Sequence, residues 1–364
     1  MLDTREAKLA EILTGYSVKI NKGDIIQVDC GIEAKNLSLE ICRLILMKGA
    51  LPRVDVQLPG FAYTYYKYAT EDQLKQFPKI RMFEAENTAG SISIGCEYNT
   101  RELTNIAPQK ISMRSTAIKP ISEVELKKDN WVICEYPTAA LAQDADMSLE
   151  EYEYFVFNAC LIDWKKLSKE EDKLKEWFDK SNQVRLIGEG TDLNLSIKGR
   201  QGIKCCGKRN MPDGEVFIAP VETDVNGHVT FSFPGIHGGR EVEGVYLEFK
   251  DGKVIRAKAT KNEDFLHKML DTDEGARRLG EWAIGLNYGI KQFTKQILFD
   301  EKIGGTVHMA LGMAYKEGGG VNDSAIHWDM IKDLRKKGEI WFDNKCIQKD
   351  GKFLINIDAD FSLK

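Results

Sequence analysis

The sequence predicts an α/β N-terminal domain over residues 1–183 followed by a mixed α+β domain over residues 184–364. Three observations point there. Segments of strand and helix periodicity alternate through the first third, the pattern of a parallel sheet covered by helices. The run "SKEEDKLKEWFDKSNQ" is dense in charge and free of Gly and Pro, so it reads as a solvated helix leading to a boundary near residue 183. After it the chain breaks into short β-type runs separated by turns.

Taken in order, residues 3–15 carry a helical pattern, and "KGDIIQVDCG" reads as a strand after a Lys-Gly turn. "AKNLSLEICRLILMKGA" has apolar residues at helical spacing, with Gly49 placed as a C-cap. "PRVDVQLPG" alternates like a strand, and the aromatic-rich "FAYTYYKYATEDQLKQF" reads as one helix. "DNWVICEYP" is a further strand. "MSLEEYEYFVF" opens a helix on a serine N-cap followed by two glutamates. In the second domain "VRLIGEGTDLNLSIKG", "EVFIAP", "HVTFSFPG" and "REVEGVYLEFKDGKVIRAKA" are strand-type, with a hairpin at "KDGKV". One strong helix is expected over "EDFLHKMLDTDEGARRLGEWAIGLN". Strands follow at "GTVHMALG" and "SAIHWDMI", and a last hairpin at "WFDNKCIQKDGKFLI".

Composition narrows the function classes. The chain has 364 residues, 43% hydrophobic and 29% charged, with a formal net charge of −5. An acidic balance argues against binding to nucleic acid or to an anionic membrane, which calls for a basic face. The early acids of "MLDTREAKLAEILTGY" leave no apolar signal core, and no apolar run reaches the ~20 residues that span a bilayer. A cytoplasmic location is expected. The eight cysteines form no CxxC pair and read as reduced, mostly buried thiols. The adjacent Cys205 and Cys206 stand apart as a metal or redox candidate. The glycines form no GxGxxG fingerprint, so no dinucleotide is implied.

The chemistry concentrates in the second half. Among five histidines, His267 sits on a polar helix, His228 at a turn and His237 in a loop. His308 in "GGTVHMALG" lies in an apolar, glycine-flanked strand, where an imidazole is either a satisfied core group or a ligand. His327 has the same two readings, but Asp329 two residues on shares its strand face. A buried carboxylate needs a cation or several hydrogen bonds. Glu215 opens an apolar strand after the "PDG" turn, and Glu281 lies in a glycine-rich stretch of the expected helix; each alone reads equally as a solvated surface acid. Together, Glu215, Glu281, His308, His327 and Asp329 match the ligand preferences of zinc, cobalt or manganese. Three acids and two histidines exceed one catalytic zinc and suit two ions sharing a bridging carboxylate, an arrangement that serves hydrolysis.

"MPDGEVFIAP", "LGEWAIGLNYGI", "GGTVHMALGMAY" and "SAIHWDMI" resemble, in this order, the signature blocks of the M29 family of metalloaminopeptidases. The resemblance implies an exopeptidase that holds two divalent ions (zinc, cobalt, manganese or magnesium) and hydrolyses the N-terminal peptide bond with a metal-bound hydroxide. It implies peptide substrates with a free N-terminus, and a homodimer. By the same resemblance Glu215 is a ligand, Glu281 bridges both ions, and His308, His327 and Asp329 complete the shells; the hydrolytic mechanism then calls for a carboxylate, Glu215 or Glu301, as proton shuttle. Tyr315 matches the family's active-site tyrosine, a donor to the oxyanion. One departure concerns the acid upstream of the block histidine: Glu301, seven residues before His308, is a candidate ligand, ahead of Asp300. Two other readings use the same residues. One is a different dimetal hydrolase, for which "KCCGKR" at 204–209 would supply a basic cluster for phosphate; the other is a non-catalytic metal scaffold.

Overall fold

The computed structural model describes residues 3–363; the outermost limits of the two expected domains, residues 1 and 364, lie outside them. The chain forms two compact units. The first runs to Leu161 and takes in Gly207–Pro212; the second comprises Ile162–Cys206 and the chain from Asp213 onward.

The first unit is a parallel α/β layer. Strands β1 (Ile25–Gly31), β2 (Leu51–Gln57), β3 (Gly90–Gly95) and β4 (Trp131–Glu135) pair in the order β2-β1-β3-β4, with Asn210–Met211 added parallel beside β4. Ile26, Val28, Ile92, Ile94, Val132 and Cys134 are buried, so alternate positions of the strands face the packed core. Helix α1 (Thr4–Ile12) starts where the Asp3 carboxylate accepts the backbone N–H of Arg5 at 2.7 Å. Helix α2 (Lys35–Met47) buries Leu37, Ile41 and Ile45, and Gly49 follows it with φ +75°.

The stretch expected as one helix over 61–77 is two, Phe61–Tyr68 and Glu71–Lys75. Thr70 separates them because it caps the second, closing a capping box with Gln73. β3 and helix α3 (Pro108–Lys127) occupy a stretch for which the sequence pattern names no element. Helix α4 (Leu149–Cys160) opens on Ser148, whose hydroxyl accepts the N–H of Glu151 at 3.2 Å.

The second unit is antiparallel. Helix α5 (Trp164–Lys180) belongs to it and is not simply solvated: Trp164, Leu167, Glu171, Leu174 and Phe178 are buried on one face. Apolar residues three and four apart inside the charge run carry that face, which the density of charge obscures. An eight-stranded sheet runs in the order Lys253–Lys258, Tyr246–Lys250, Val225–Thr230, Thr191–Ser196, Gln183–Gly188, Glu339–Phe342, Lys345–Lys349, Lys352–Phe353. Its hairpin at Asp251 and Gly252 turns through φ +50° and +78°, the two positive values a two-residue type I′ turn requires. A five-stranded sheet is built from β5 (Ile203–Cys205), β6 (Glu215–Ile218), β7 (Leu279–Gly285), β8 (Thr306–Gly312) and β9 (His327–Asp333), in the order β9-β8-β7-β6-β5. The rings of Phe178, Trp282 and Phe342 meet within 5.9 Å of one another in the core of this unit.

The expected helix over 263–287 ends early. Helix α6 covers only Glu263–Leu270, and the segment carrying Glu281 is strand β7. Two local features explain the difference. Asp273 accepts the backbone N–H groups of Ala276 and Ala325 at 2.9 and 2.7 Å, which fixes a turn after the helix. A Cβ at Gly280 would lie 2.3 Å from the carbonyl of Met313, and one at Gly285 2.3 Å from that of Ile303, so both glycines serve close backbone approach within a sheet.

Candidate metal centre

The pleat of the five-stranded sheet sorts its side chains. Val216 and Ile218 of β6, Trp282 and Ile284 of β7, Met309 and Leu311 of β8, and Trp328 and Met330 of β9 all join one hydrophobic cluster. The alternate positions therefore share the opposite face. Cross-strand register places Glu215 opposite Gly285, His308 opposite Ala283, and Ala310 opposite both Glu281 and Asp329. Ala283, Gly285, Ala310 and Gly312 take the positions between the polar groups, and their small size leaves the acids and imidazoles room to converge.

They do converge. His308 Nε2 lies 3.1 Å from Glu281 Oε1 and 3.4 Å from Glu215 Oε2. His327 Nε2 lies 3.5 Å from Asp329 Oδ2 and 3.9 Å from Glu281 Oε2. Glu281, His327 and Asp329 offer ligand atoms within 4.8 Å of one another; so do Glu301, His308 and Asp329. Glu281 thus presents one oxygen to each histidine, and Asp329 belongs to both groups.

Both imidazoles are oriented by backbone. His308 Nδ1 is 2.8 Å from the carbonyl of Glu301, and His327 Nδ1 is 2.8 Å from that of Met313. A carbonyl only accepts, so each Nδ1 carries a proton and each Nε2 faces the carboxylates. A neutral Nε2 lone pair aimed at carboxylate oxygens is repulsive, so each Nε2 calls for a proton or a metal cation between itself and the acids. Asp329 Oδ1 and Glu215 Oε2 are buried and accept no hydrogen bond. The donor set, the tautomers and the orphaned oxygens all fit divalent cations.

The electrostatics carry the same imprint. Burial pushes the His308 pKa down, but Glu215 and Glu281 outweigh it and raise it to about 10. His327 is likewise raised: burial opposes, and Asp329 and Glu281 prevail. Burial lifts Asp329 to about 6 despite the nearby His327. Glu215 is pushed well up by burial and by Glu301. Glu301 goes the other way, because Lys302 and His308 overcome the effect of its burial.

Lys302 is the residue that sequence reasoning missed. In "DEKIGG" it reads as one more surface charge, yet it is fully buried. Its ammonium contacts Glu301 Oε1 and donates to the Leu298 carbonyl at 3.0 Å. Asp300 is engaged elsewhere, its Oδ1 accepting the N–H and hydroxyl of Thr294 at 2.7 and 3.0 Å. Tyr315 follows β8, 43% exposed, with its ring 5.2 Å from that of His327 and 5.8 Å from that of Phe217. Partial burial and the charges of Glu281 and Asp329 raise its phenol.

The remaining histidines lie apart from these groups. His228 is on the strand Val225–Thr230 rather than at a turn, with its ring 5.9 Å from Tyr246. The His237 ring lies 5.9 Å from that of Trp328, inclined at 54°, and His267 is on α6. The basic groups of "KCCGKR" are paired: Lys204 with Asp172 at 2.5 Å, Lys208 with the Tyr16 carbonyl, and Arg209 with Asp129.

Residues 2–353 match the sequence profile of the family described as thermophilic metalloprotease (M29). Aminopeptidase 2 of Geobacillus stearothermophilus is 28% identical over 401 aligned residues, covering 95% of this chain and 94% of that protein. Aminopeptidase T of Thermus thermophilus is 35% identical over 172 residues, 40% of this chain and 41% of that one. The solved structure of wild-type AmpT from Thermus thermophilus superposes with a TM-score of 0.85 at 23% identity, covering 98% of this chain and 100% of that chain, which is a likeness of fold.

Proposed function

Since this chain belongs to the M29 family of thermophilic metalloproteases, we propose that it is a metal-dependent aminopeptidase acting on peptides with a free N-terminus. The observation that carries the reading is the pair of imidazoles, each with Nδ1 donating to a backbone carbonyl and Nε2 turned onto carboxylates. The aminopeptidases to which the chain is similar along most of its length support the substrate class.

Two divalent cations would be held here, one by Glu281, His327 and Asp329 and the other by Glu215, Glu301 and His308, with Glu281 between them. The mixed nitrogen and oxygen donors accept zinc, cobalt, manganese or magnesium. Bound cations supply Lewis acidity at the scissile carbonyl and an activated water at neutral pH.

The chain's own groups do the rest. Glu215 is the proton shuttle, since Glu301 already holds the Lys302 ammonium while Glu215 Oε2 accepts no hydrogen bond. It takes a proton from the attacking water and returns it to the leaving amine. Tyr315, beside His327 and open to solvent on one side, donates its hydroxyl to the oxyanion of the tetrahedral intermediate. Trp328 and Met330, packed in the core on the opposite face of β9, keep His327 and Asp329 aimed.

The chain is further proposed to work as a cytoplasmic homodimer. Its eight cysteines are all free thiols, as a reducing compartment favours. Among the described residues no helix is long and apolar enough to cross a membrane. Val54 and Val56 on β2, and Phe61, Ile80 and Phe83 elsewhere in the same unit, are exposed and support a protein contact. The paired state of Lys204, Lys208 and Arg209 gives no support to a phosphoester substrate.

The test is to purify the full chain, quantify bound metal, and assay aminoacyl chromogenic substrates with and without chelator. Chelator-sensitive release that disappears in Glu281→Ala is the expected result. Metal-independent release, or full activity in Glu281→Ala, would overturn the reading.

A further inference from the structure

Beside the centre described above lies a second group of donors that it does not use. Cys205, Asp213 and Glu215 offer a sulfur and two carboxylate oxygens within 4.8 Å of one another. Register accounts for part of this: Cys205 on β5 is paired directly opposite Glu215 on β6, so their side chains share a face. The N–H of Gly214 donates to the Cys205 carbonyl at 2.9 Å, which draws the Asp213 turn against β5.

An independent observation comes from helix α5. Glu171 is 0% exposed, and neither of its carboxylate oxygens has a hydrogen-bond partner. A fully buried, unpartnered carboxylate is among the most costly groups a core can hold. Burial, then Asp213 and Cys206, raise its pKa, with Lys204 opposing. Burial, then Asp213, Glu215 and Glu171, raise the Cys205 thiol. Helix α5 packs on this spot: Lys204 of β5 donates to Ser168 Oγ at 3.1 Å, a Cβ at Gly214 would lie 3.3 Å from Leu167 Cδ1, and Glu171 shares the buried face of Leu167 and Leu174, so the helix turns a fourth donor toward these strands.

The geometry points to a third cation site, formed by Cys205, Asp213 and Glu171 and sharing Glu215 with the dimetal centre, that takes a thiophilic divalent ion of the zinc, cobalt or cadmium class. One thiolate among carboxylates selects such ions over magnesium or calcium. A bound ion would join α5, β5 and the start of β6, beside the Lys204–Asp172 pair that already links α5 to β5. The "CC" pair of the sequence is thereby divided in role, with Cys205 a ligand and Cys206 not.

The site has a signature the dimetal centre lacks, because none of the ligands proposed for that centre is a thiolate. Titrating the metal-stripped full-length protein with cobalt(II) should give about three equivalents per chain, one accompanied by a thiolate-to-cobalt charge-transfer band in the near ultraviolet. Cys205→Ser should lose the band and bind two equivalents; Cys206→Ser should keep all three. Glu171→Gln should weaken the thiolate-bearing equivalent by at least about tenfold. His308→Ala should lose dimetal occupancy yet keep the band, which separates failure of this inference from failure of the aminopeptidase reading. No charge-transfer band at saturating cobalt, or a band that survives in Cys205→Ser, would overturn the third site and leave the cluster as protonated buried acids.

Discussion

His308 Nε2 stands 3.1 Å from Glu281 Oε1, while the other oxygen of the same carboxylate faces His327. A single buried acid placed between two imidazoles, on a strand flanked by small residues, is the arrangement from which the functional account grows.

If Glu281 joins two cation sites, Glu281→Gln should lower kcat/KM by roughly 10²–10³-fold or more and reduce bound metal. The metal-free protein should also lose stability, because Glu281 is the buried partner 3.1 Å from His308, whose imidazole it helps hold protonated. Thermal unfolding of both proteins in chelator checks this: the variant should melt lower. Equal melting in chelator would show that Glu281 and His308 do not pair without cations.

Tyr315→Phe should leave metal content and KM nearly unchanged and cut kcat by about 10²-fold, the usual cost of losing one oxyanion donor. Steady-state kinetics with metal analysis decides it. A change confined to KM would assign Tyr315 to substrate binding instead.

Lys302 is buried against Glu301. Replacing it by Met leaves an uncompensated buried carboxylate, so chemical denaturation should report a loss of about 3–5 kcal/mol without metal. The loss should shrink when cations are bound, since they neutralise the same acid. Equal losses in both states would mean that Lys302 acts through packing alone.

In the first unit, burial and then Glu97 push Glu135 up to about 8. The native state therefore holds a proton that the unfolded chain releases near the ordinary carboxyl value. The stabilisation is complete below that value and is lost as pH rises through about 8. Glu135→Gln should remove this dependence, so the variant gains on the wild type in urea unfolding between pH 5 and pH 9. Parallel curves would show that Glu135 ionises freely in the folded protein.

Much of this was legible in the sequence, for identifiable reasons. The face shared by His327 and Asp329 follows from a period of two, and the burial of Trp328 on the other face follows with it. The parallel layer of the first unit was readable where β1, α2 and β2 alternate. The element bearing Glu281 is a strand where the sequence pattern predicts a helix, because Leu266 and Leu270 set a helical period just upstream and nothing local in Gly280 and Gly285 interrupts it. Their role appears only with the carbonyls of Met313 and Ile303, which are distant in sequence. Lys302 and Glu171 were invisible for a related reason: a charged residue in a charged run reads as solvated until the fold buries it.

The measurement that bears most directly on the central claim is anomalous diffraction from crystals of the full chain grown with zinc. The account predicts two peaks flanking the Glu281 carboxylate, roughly 3.5–4 Å apart, one beside His308 Nε2 and one beside His327 Nε2. A single peak there, or two peaks with Glu281 touching neither, would contradict it.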